Sequence, residues 1–256
     1  MRIAVFADVH GNLPALEAVL AEIAGSGADL VINLGDCASG PLWPRETMER
    51  LAEVDAVTVR GNHDRQVASL ALQAMGTSDS FAYAQLSPAQ RSWLGALPMS
   101  QAPAAGVLAF HAAPDRDNSY LLDEIRAGRL VRAAHGEIQA RLGAADARIV
   151  LCGHSHRPDA VQLPGGPLIL NPGSVGLPAY EVDSPPHVSE AGSPHARYAT
   201  LDIGPGGSAS FEFHAVPYAF AEAARRANAN GRPEWAHALR TGFMPERDTR
   251  PREAHS

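Results

Sequence analysis

The sequence predicts a mixed α/β fold, of the α/β or α+β class, on three observations. Early in the chain short apolar runs alternate with longer helical patterns, a βαβα rhythm that implies a parallel sheet. Later, short strands cluster without long helices between them, which implies antiparallel pairing. The composition, 45% hydrophobic and 19% charged, suits a soluble domain of this class.

"RIAVFAD" (2–8) reads as a buried strand. Asn12 can cap the helix that follows, with Pro14 tolerated in its first turn. Leu13, Leu16, Val19, Leu20 and Ile23 then recur at helical spacing. "LVINLGD" (30–36) is a second strand, residues 44–53 a helix, and "AVTVRGNHD" (56–64) contains a third strand. Helices are expected over 64–75 and 88–97, the second opened by Ser87-Pro88. "VLAFH" (107–111) is a strand, and 119–142 is expected to be mostly helical. "RIVLCGH", "AVQL", "LILNPG", "YATLDI" and "SFEFHAV" supply further strands, the last two joined as a hairpin by a Gly/Pro turn at 204–207. Closing helices are expected over 217–229 and 233–240. The stretch 177–197, rich in Pro, Ser and His, is expected to be an exposed loop, with His187 and His195 solvated. One domain over 1–245, with a disordered tail at 246–256, accommodates this order; a chain of this size buries about three quarters of its unfolded surface.

Charge and composition exclude several functions. The net charge is −7, so no basic footprint marks a long nucleic-acid partner. No run approaches the ~18 apolar residues of a membrane span. Asp8 and His10 interrupt the apolar N-terminus, which reads as a first strand rather than a signal peptide, so a cytoplasmic location is expected. Cys37 and Cys152 are too few for a disulfide framework and read as small buried residues.

The chemistry gathers where apolar runs end. "FADVH" offers Asp8 and His10, "NLGD" Asp36, "RGNHD" Asn62, "LAFH" His111 and "LCGHSH" His154 and His156. Each motif alone fits a turn or a buried histidine. Five such endings are another matter, because open α/β sheets bind ligands beyond the carboxyl ends of their strands. In extended chain Asp8 and His10 point the same way, as do His154 and His156. Seven N and O ligands without a thiolate suit two octahedral or five-coordinate cations, such as Mn, Fe, Zn or Mg. Two carboxylates against two divalent ions leave a site charge of about +2, which favours a phosphate anion.

The ordered set D-x-H, GD, GNHD, H and GHSH resembles the calcineurin-like metallophosphoesterase superfamily. "NPGSVG" at 171–176 and Tyr198-Ala199 narrow the resemblance to its small bacterial and archaeal phosphodiesterases, the YfcE-like group. It runs from Met1 to about residue 240. The resemblance implies a four-layer α-β-β-α sandwich of two mixed sheets flanked by helices. It implies a first metal held by Asp8, His10, Asp36 and His156. A second would be held by Asp36, Asn62, His111 and His154, with Asp36 bridging. His63 would be a catalytic histidine that is not a ligand, oriented by Asp64, with Asn62 assisting at the phosphoryl oxygens. The implied cofactors are two divalent ions, Mn foremost, with Fe, Zn, Ni or Mg as alternatives. The implied reaction is attack of a metal-bridging hydroxide on a small phosphodiester or phosphomonoester. A dinucleoside-polyphosphate pyrophosphohydrolase and a non-catalytic scaffold are the alternatives, and a monomer or small homo-oligomer is expected. Departures from the pattern are "CASGPLWP" after Asp36 and the length of 177–197.

Overall fold

A computed structural model of the chain describes residues 1–246. The chain opens with β1 (Arg2–Phe6), α1 (Leu13–Gly25), β2 (Leu30–Asn33), α2 (Pro44–Leu51), β3 (Val57–Thr58) and α3 (Asn62–Ser69). There follow α4 (Thr77–Gln85), α5 (Pro88–Ala96), β4 (Ser100–Ala104), β5 (Val107–Phe110), β6 (Asp123–Arg126), β7 (Arg129–Arg132) and α6 (His135–Leu142). The second half holds β8 (Ile149–Leu151), β9 (Pro158–Gln162), β10 (Leu168–Pro172), β11 (Ala179–Asp183) and β12 (Pro186–Glu190). It closes with β13 (Ala196–Ile203), β14 (Ala209–Val216), α7 (Phe220–Ala229) and α8 (Pro233–Thr241).

Local chemistry sets the helix starts. Asn12 accepts from the Ala15 N–H at 3.4 Å at the head of α1. Ser87 and Gln90 form a reciprocal capping box on α5, at 2.9 and 3.2 Å. The expected helix over 64–75 ends at Ser69, and α4 lies in a stretch the sequence left unassigned.

Two five-stranded sheets form the body, in the orders β14-β13-β1-β2-β3 and β4-β5-β8-β10-β9. Each has a parallel centre, β1-β2-β3 and β5-β8-β10, with antiparallel strands outside it. The period-2 alternation of β1 divides its side chains between two cores. Ile3 and Val5 join Ile32, Val107, Leu151 and Leu170 between the sheets. Ala4 and Phe6 pack outward on Leu16 and Val19 of α1, Met48 of α2 and Leu94 of α5. On the far side Phe110, Val150 and Ile169 pack against Ile138 and Leu142 of α6. The result is the four-layer helix-sheet-sheet-helix sandwich.

A third sheet, β11-β12-β7-β6, was not expected. Residues 123–132 form a hairpin rather than part of a helix. Ala127 and Gly128 both take positive φ, 48° and 74°, as a two-residue hairpin turn requires. The expected loop at 177–197 is instead mostly the antiparallel pair β11–β12. The tail expected over 246–256 lies, from 247 onward, outside the described residues. Among the described residues no helix is long and apolar enough to cross a membrane.

Both parallel centres direct their carboxyl ends to one edge of the sandwich. Asp8 follows β1, Asp36 follows β2, and Asn62 follows β3. From the second sheet His111 follows β5, and His154 and His156 follow β8. "NPGSVG" ties these turns together. Ser174 Oγ and the Gly176 N–H donate to the Asp8 carbonyl at 2.8 and 3.0 Å, and Asn171 Nδ2 donates to the Gly153 carbonyl at 2.8 Å.

Candidate metal centre

The turns that carry the site are bent into left-handed backbone. Asp8, His10, Asp36, His154 and His156 have φ between 50° and 69°, and among the described residues Ala127 is the one other non-glycine residue with positive φ. Such conformations disfavour residues with a Cβ and persist where the surroundings over-determine them. Here the surroundings are sheet ends and buried hydrogen bonds.

Two groups of three result, Asp8-His10-His156 and Asp36-His111-His154, each with its ligand atoms within 4.8 Å of one another. Asp36 Oδ2 faces both, 3.3 Å from His111 Nε2 and 3.9 Å from His10 Nε2. Its Oδ1 is occupied by the His63 backbone N–H at 2.9 Å. Asn62 Oδ1 lies 3.1 Å from His111 Nε2. All seven expected ligand residues thus converge, and those other than His154 are buried.

Hydrogen bonds fix the tautomers of three of these histidines. His10 Nδ1 contacts the Ser39 carbonyl at 2.8 Å, His111 Nδ1 that of Leu34 at 2.8 Å, and His156 Nδ1 that of Leu177 at 2.6 Å. A carbonyl oxygen only accepts, so each Nδ1 carries a proton and Nε2 is the nitrogen each ring turns to the site. The Nε2 atoms of His10 and His156 are 3.1 Å apart. Asp8 Oδ1, 3.4 Å from His156 Nε2, is buried without a hydrogen-bond partner. A buried carboxylate oxygen left without a donor is costly unless a cation lies beside it. The donor set therefore fits metal ions.

The electrostatics agree. Burial, with the neighbouring His156, pushes His10 down to about 4, and burial with His111 pushes His154 down to about 3, so both stay neutral. At His111 burial is outweighed by Asp36 and Asp8, which push it up to about 10. Burial likewise opposes ionisation of Asp36, but His111, His63 and His10 hold it well below the usual carboxylate range. The centre thus keeps its carboxylates charged and favours positive charge beside His111.

The expected Asp64–His63 pair does not form. The Asp64 carboxylate accepts the backbone N–H groups of Asp36, Cys37 and Gly61, at 2.8, 2.9 and 2.9 Å. It fastens the turn after β2 to the turn after β3. The partner of His63 is Asp79, whose Oδ1 lies 2.7 Å from His63 Nδ1 and accepts from Ser39 Oγ at 2.6 Å. Asp79 is buried on α4, in the stretch the sequence left unassigned, so no sequence signal pointed to it. Asp36 and Asp79 outweigh burial and push His63 up to about 9. His63 is a third exposed and lines a cavity of about 1230 Å³ with His10, Asp36, Asn62, Tyr120 and Trp235.

The hairpin β11–β12 forms part of that cavity. His187, expected to be solvated, is buried and 2.7 Å from Tyr120 Oη. Tyr120 stacks on His154 with centroids 4.9 Å apart, and Tyr180 meets His156 edge-on at 4.5 Å. His195 is half-buried against Ser193 Oγ at 2.6 Å. Cys37 and Cys152 are buried, and burial raises both thiols, so neither is a nucleophile.

Residues 1–188 match the family model of the calcineurin-like phosphoesterase superfamily domain. The chain is 40% identical over 62 residues to the uncharacterized protein MJ0912 of Methanocaldococcus jannaschii, covering 24% of this chain and 26% of that protein. It is 39% identical over 82 residues to the phosphodiesterase YfcE of Escherichia coli, covering 28% of this chain and 45% of that one. The chain thus matches less than half the length of either relative. A crystal structure of a metallophosphoesterase from Sphaerobacter thermophilus superposes with a TM-score of 0.72 at 25% identity, over 94% of this chain and 99% of that one.

Proposed function

This chain belongs to the calcineurin-like phosphoesterase superfamily, and from that premise we propose that it is a two-metal-dependent hydrolase of small phosphodiesters or phosphomonoesters. The observation that carries the reading is the pair of facing ligand groups, with Asp36 Oδ2 between them. Asp8, His10, Asp36 and His156 would hold one ion, and Asp36, Asn62, His111 and His154 the other. Bound divalent ions supply Lewis acidity toward phosphoryl oxygens and lower the pKa of a coordinated water. The N and O donor set suits Mn first, and Fe, Zn, Ni or Mg besides.

The chain's own groups do the rest. His63 Nδ1 is held by Asp79, which leaves Nε2 for the cavity. The Asp79 carboxylate at Nδ1 favours the protonated ring, as a general acid for a leaving oxygen requires. The Asn62 side chain positions a phosphoryl oxygen beside His111. Tyr120 and Tyr180, packed on His154 and His156, keep those rings oriented and exclude water from one wall. A cavity of about 1230 Å³ also admits a nucleotide, which favours a nucleotide pyrophosphohydrolase as the second reading.

Metal analysis after dialysis against Mn, combined with a phosphoester panel assayed in Mn, Ni, Mg and Zn, tests the proposal. Two ions per chain are expected, with turnover of at least one small ester. Asp36→Asn should lose both ions together. Full activity with one ion per chain would remove the two-metal reading, and no turnover of any ester with any metal would remove the phosphoesterase.

A further inference from the structure

We propose that Arg232 determines substrate specificity by holding a second anionic group, a phosphate or carboxylate, on the leaving-group side of the substrate. The inference rests on the phosphoesterase reading above. Three arginines line the cavity, and two of them are committed elsewhere. Arg116 is 70% exposed beside Asp115 at the opening. Arg141 Nη1 donates to the carbonyls of Tyr120, Leu121 and Asp123, bracing the loop before β6. Arg232 differs in burial and in what remains free.

Its side chain is 20% exposed and fixed on three sides. Nε donates to Glu234 Oε1, Nη1 donates to Ser78 Oγ at 3.0 Å, and the guanidinium lies 5.6 Å from the Trp235 ring centroid. A guanidinium has five N–H groups in a fixed fork, and two are used here. Nη2 has no acceptor among the described residues. A fork already held in place loses little freedom on binding a planar or tetrahedral anion.

The neighbours of Arg232 lead straight to the reacting groups. Ser78 precedes Asp79, which holds His63 at 2.7 Å. The Trp235 ring lies 6.2 Å from that of His10. Arg232 is therefore on the wall shared with His63, the group that meets the departing oxygen. Glu234 draws on the Nε side, so the offered edge is the Nη side. A leaving group with a second negative charge would be recognised there, and an uncharged alcohol would leave the fork unpaired.

The test is calorimetric binding of stable phosphonates to the Mn-loaded protein, as wild type, Arg232→Gln and Arg232→Lys. Methylphosphonate carries one anionic group, methylenebisphosphonate and propane-1,3-bisphosphonate carry two at different spacings, and phosphonoacetate replaces the second with a carboxylate. Wild type should bind one of the doubly anionic probes about 10-fold to 100-fold tighter than methylphosphonate, the range expected of charge-assisted hydrogen bonds. That ratio should fall toward one in Arg232→Gln and be kept in part by Arg232→Lys, which retains the charge but not the fork. Whether a bisphosphonate or phosphonoacetate holds the advantage identifies the second group. A ratio unchanged in both variants overturns the proposal, because the preference would then belong to the metals. Methylphosphonate binding without any preference for a second anion removes this inference and leaves the phosphoesterase reading. Failure of every phosphonate to bind removes both.

Discussion

His63 and Asp64 are adjacent, both polar and both close to Asp36, yet they sit in different networks, and mutation should separate them. A general acid matters in proportion to the proton demand of the leaving oxygen, and is typically worth about 10²–10⁴-fold. His63→Ala should therefore keep both metals and most of kcat/KM on bis-p-nitrophenyl phosphate, while alkyl or nucleoside esters lose a factor in that range. Asp79→Asn should give a weaker copy of the same pattern, because Asp79 orients and charges the imidazole at 2.7 Å. Equal losses on good and poor leaving groups would take His63 out of the acid role. Asp64→Asn should behave otherwise. It replaces an acceptor of three buried backbone N–H groups, and each one left unsatisfied costs about 1–3 kcal/mol. The expected outcome is a lower melting temperature and weaker metal retention, with the leaving-group ratio of wild type. A ratio shifted as in His63→Ala would restore Asp64 to the dyad.

At the scale of elements, the close approach of β2 and β3 at their carboxyl ends decides the site. Gly61, the cap of α3, has an ordinary φ of −81°, so space rather than backbone freedom requires a glycine. A Cβ there would lie 2.0 Å from Asp36 Oδ1 and 2.5 Å from the Asp36 nitrogen. Gly76 caps α4 in the same way, but its nearest neighbour would be Asp79 Oδ2 at 4.0 Å. Gly61→Ala should therefore displace Asp36 and lower Mn affinity by more than about tenfold, a loss of ~1.4 kcal/mol or more. Gly76→Ala should bind Mn like wild type. Mn titrations of the two variants check this, and equal affinities would mean that the β2 turn yields freely.

At the scale of the molecule, the ligands come from both sheets. Asp8, His10, Asp36 and Asn62 follow strands of one, and His111, His154 and His156 follow strands of the other. Bound ions would cross-link the two sheets at their shared edge. A ligand that binds only the folded state stabilises it by about 2.7 kcal/mol at a hundred times its Kd. For a chain of this length that raises the melting temperature by ~5–10 °C. Adding Mn after chelation should produce such a shift in wild type and little of it in Asp36→Asn. A melting temperature indifferent to Mn in both proteins would argue against ions between the sheets.

The sequence by itself determined the alternation of β and α, the parallel centres and the seven converging ligand residues, because apolar period and strand-end chemistry are local signals. Asp8, His10, Asp36, Asn62, His111, His154 and His156 could be picked out because each lies just past the end of an apolar run, His156 farthest at four residues beyond Cys152. Only the tertiary structure decided which acid serves which base. Asp64 lies next to His63 in sequence but spends its carboxylate on backbone N–H groups, whereas Asp79, sixteen residues on, is brought to the imidazole by the packing of α4. It also decided the third sheet. "DEIRAGRLVR" carries no stronger local preference for a hairpin than for a helix until the positive φ of Ala127 and Gly128 and the pairing of β7 with β12 settle it. His187 became a cavity residue for the same reason, since a strand's inward face exists only once another strand and a neighbouring wall are there to bury it.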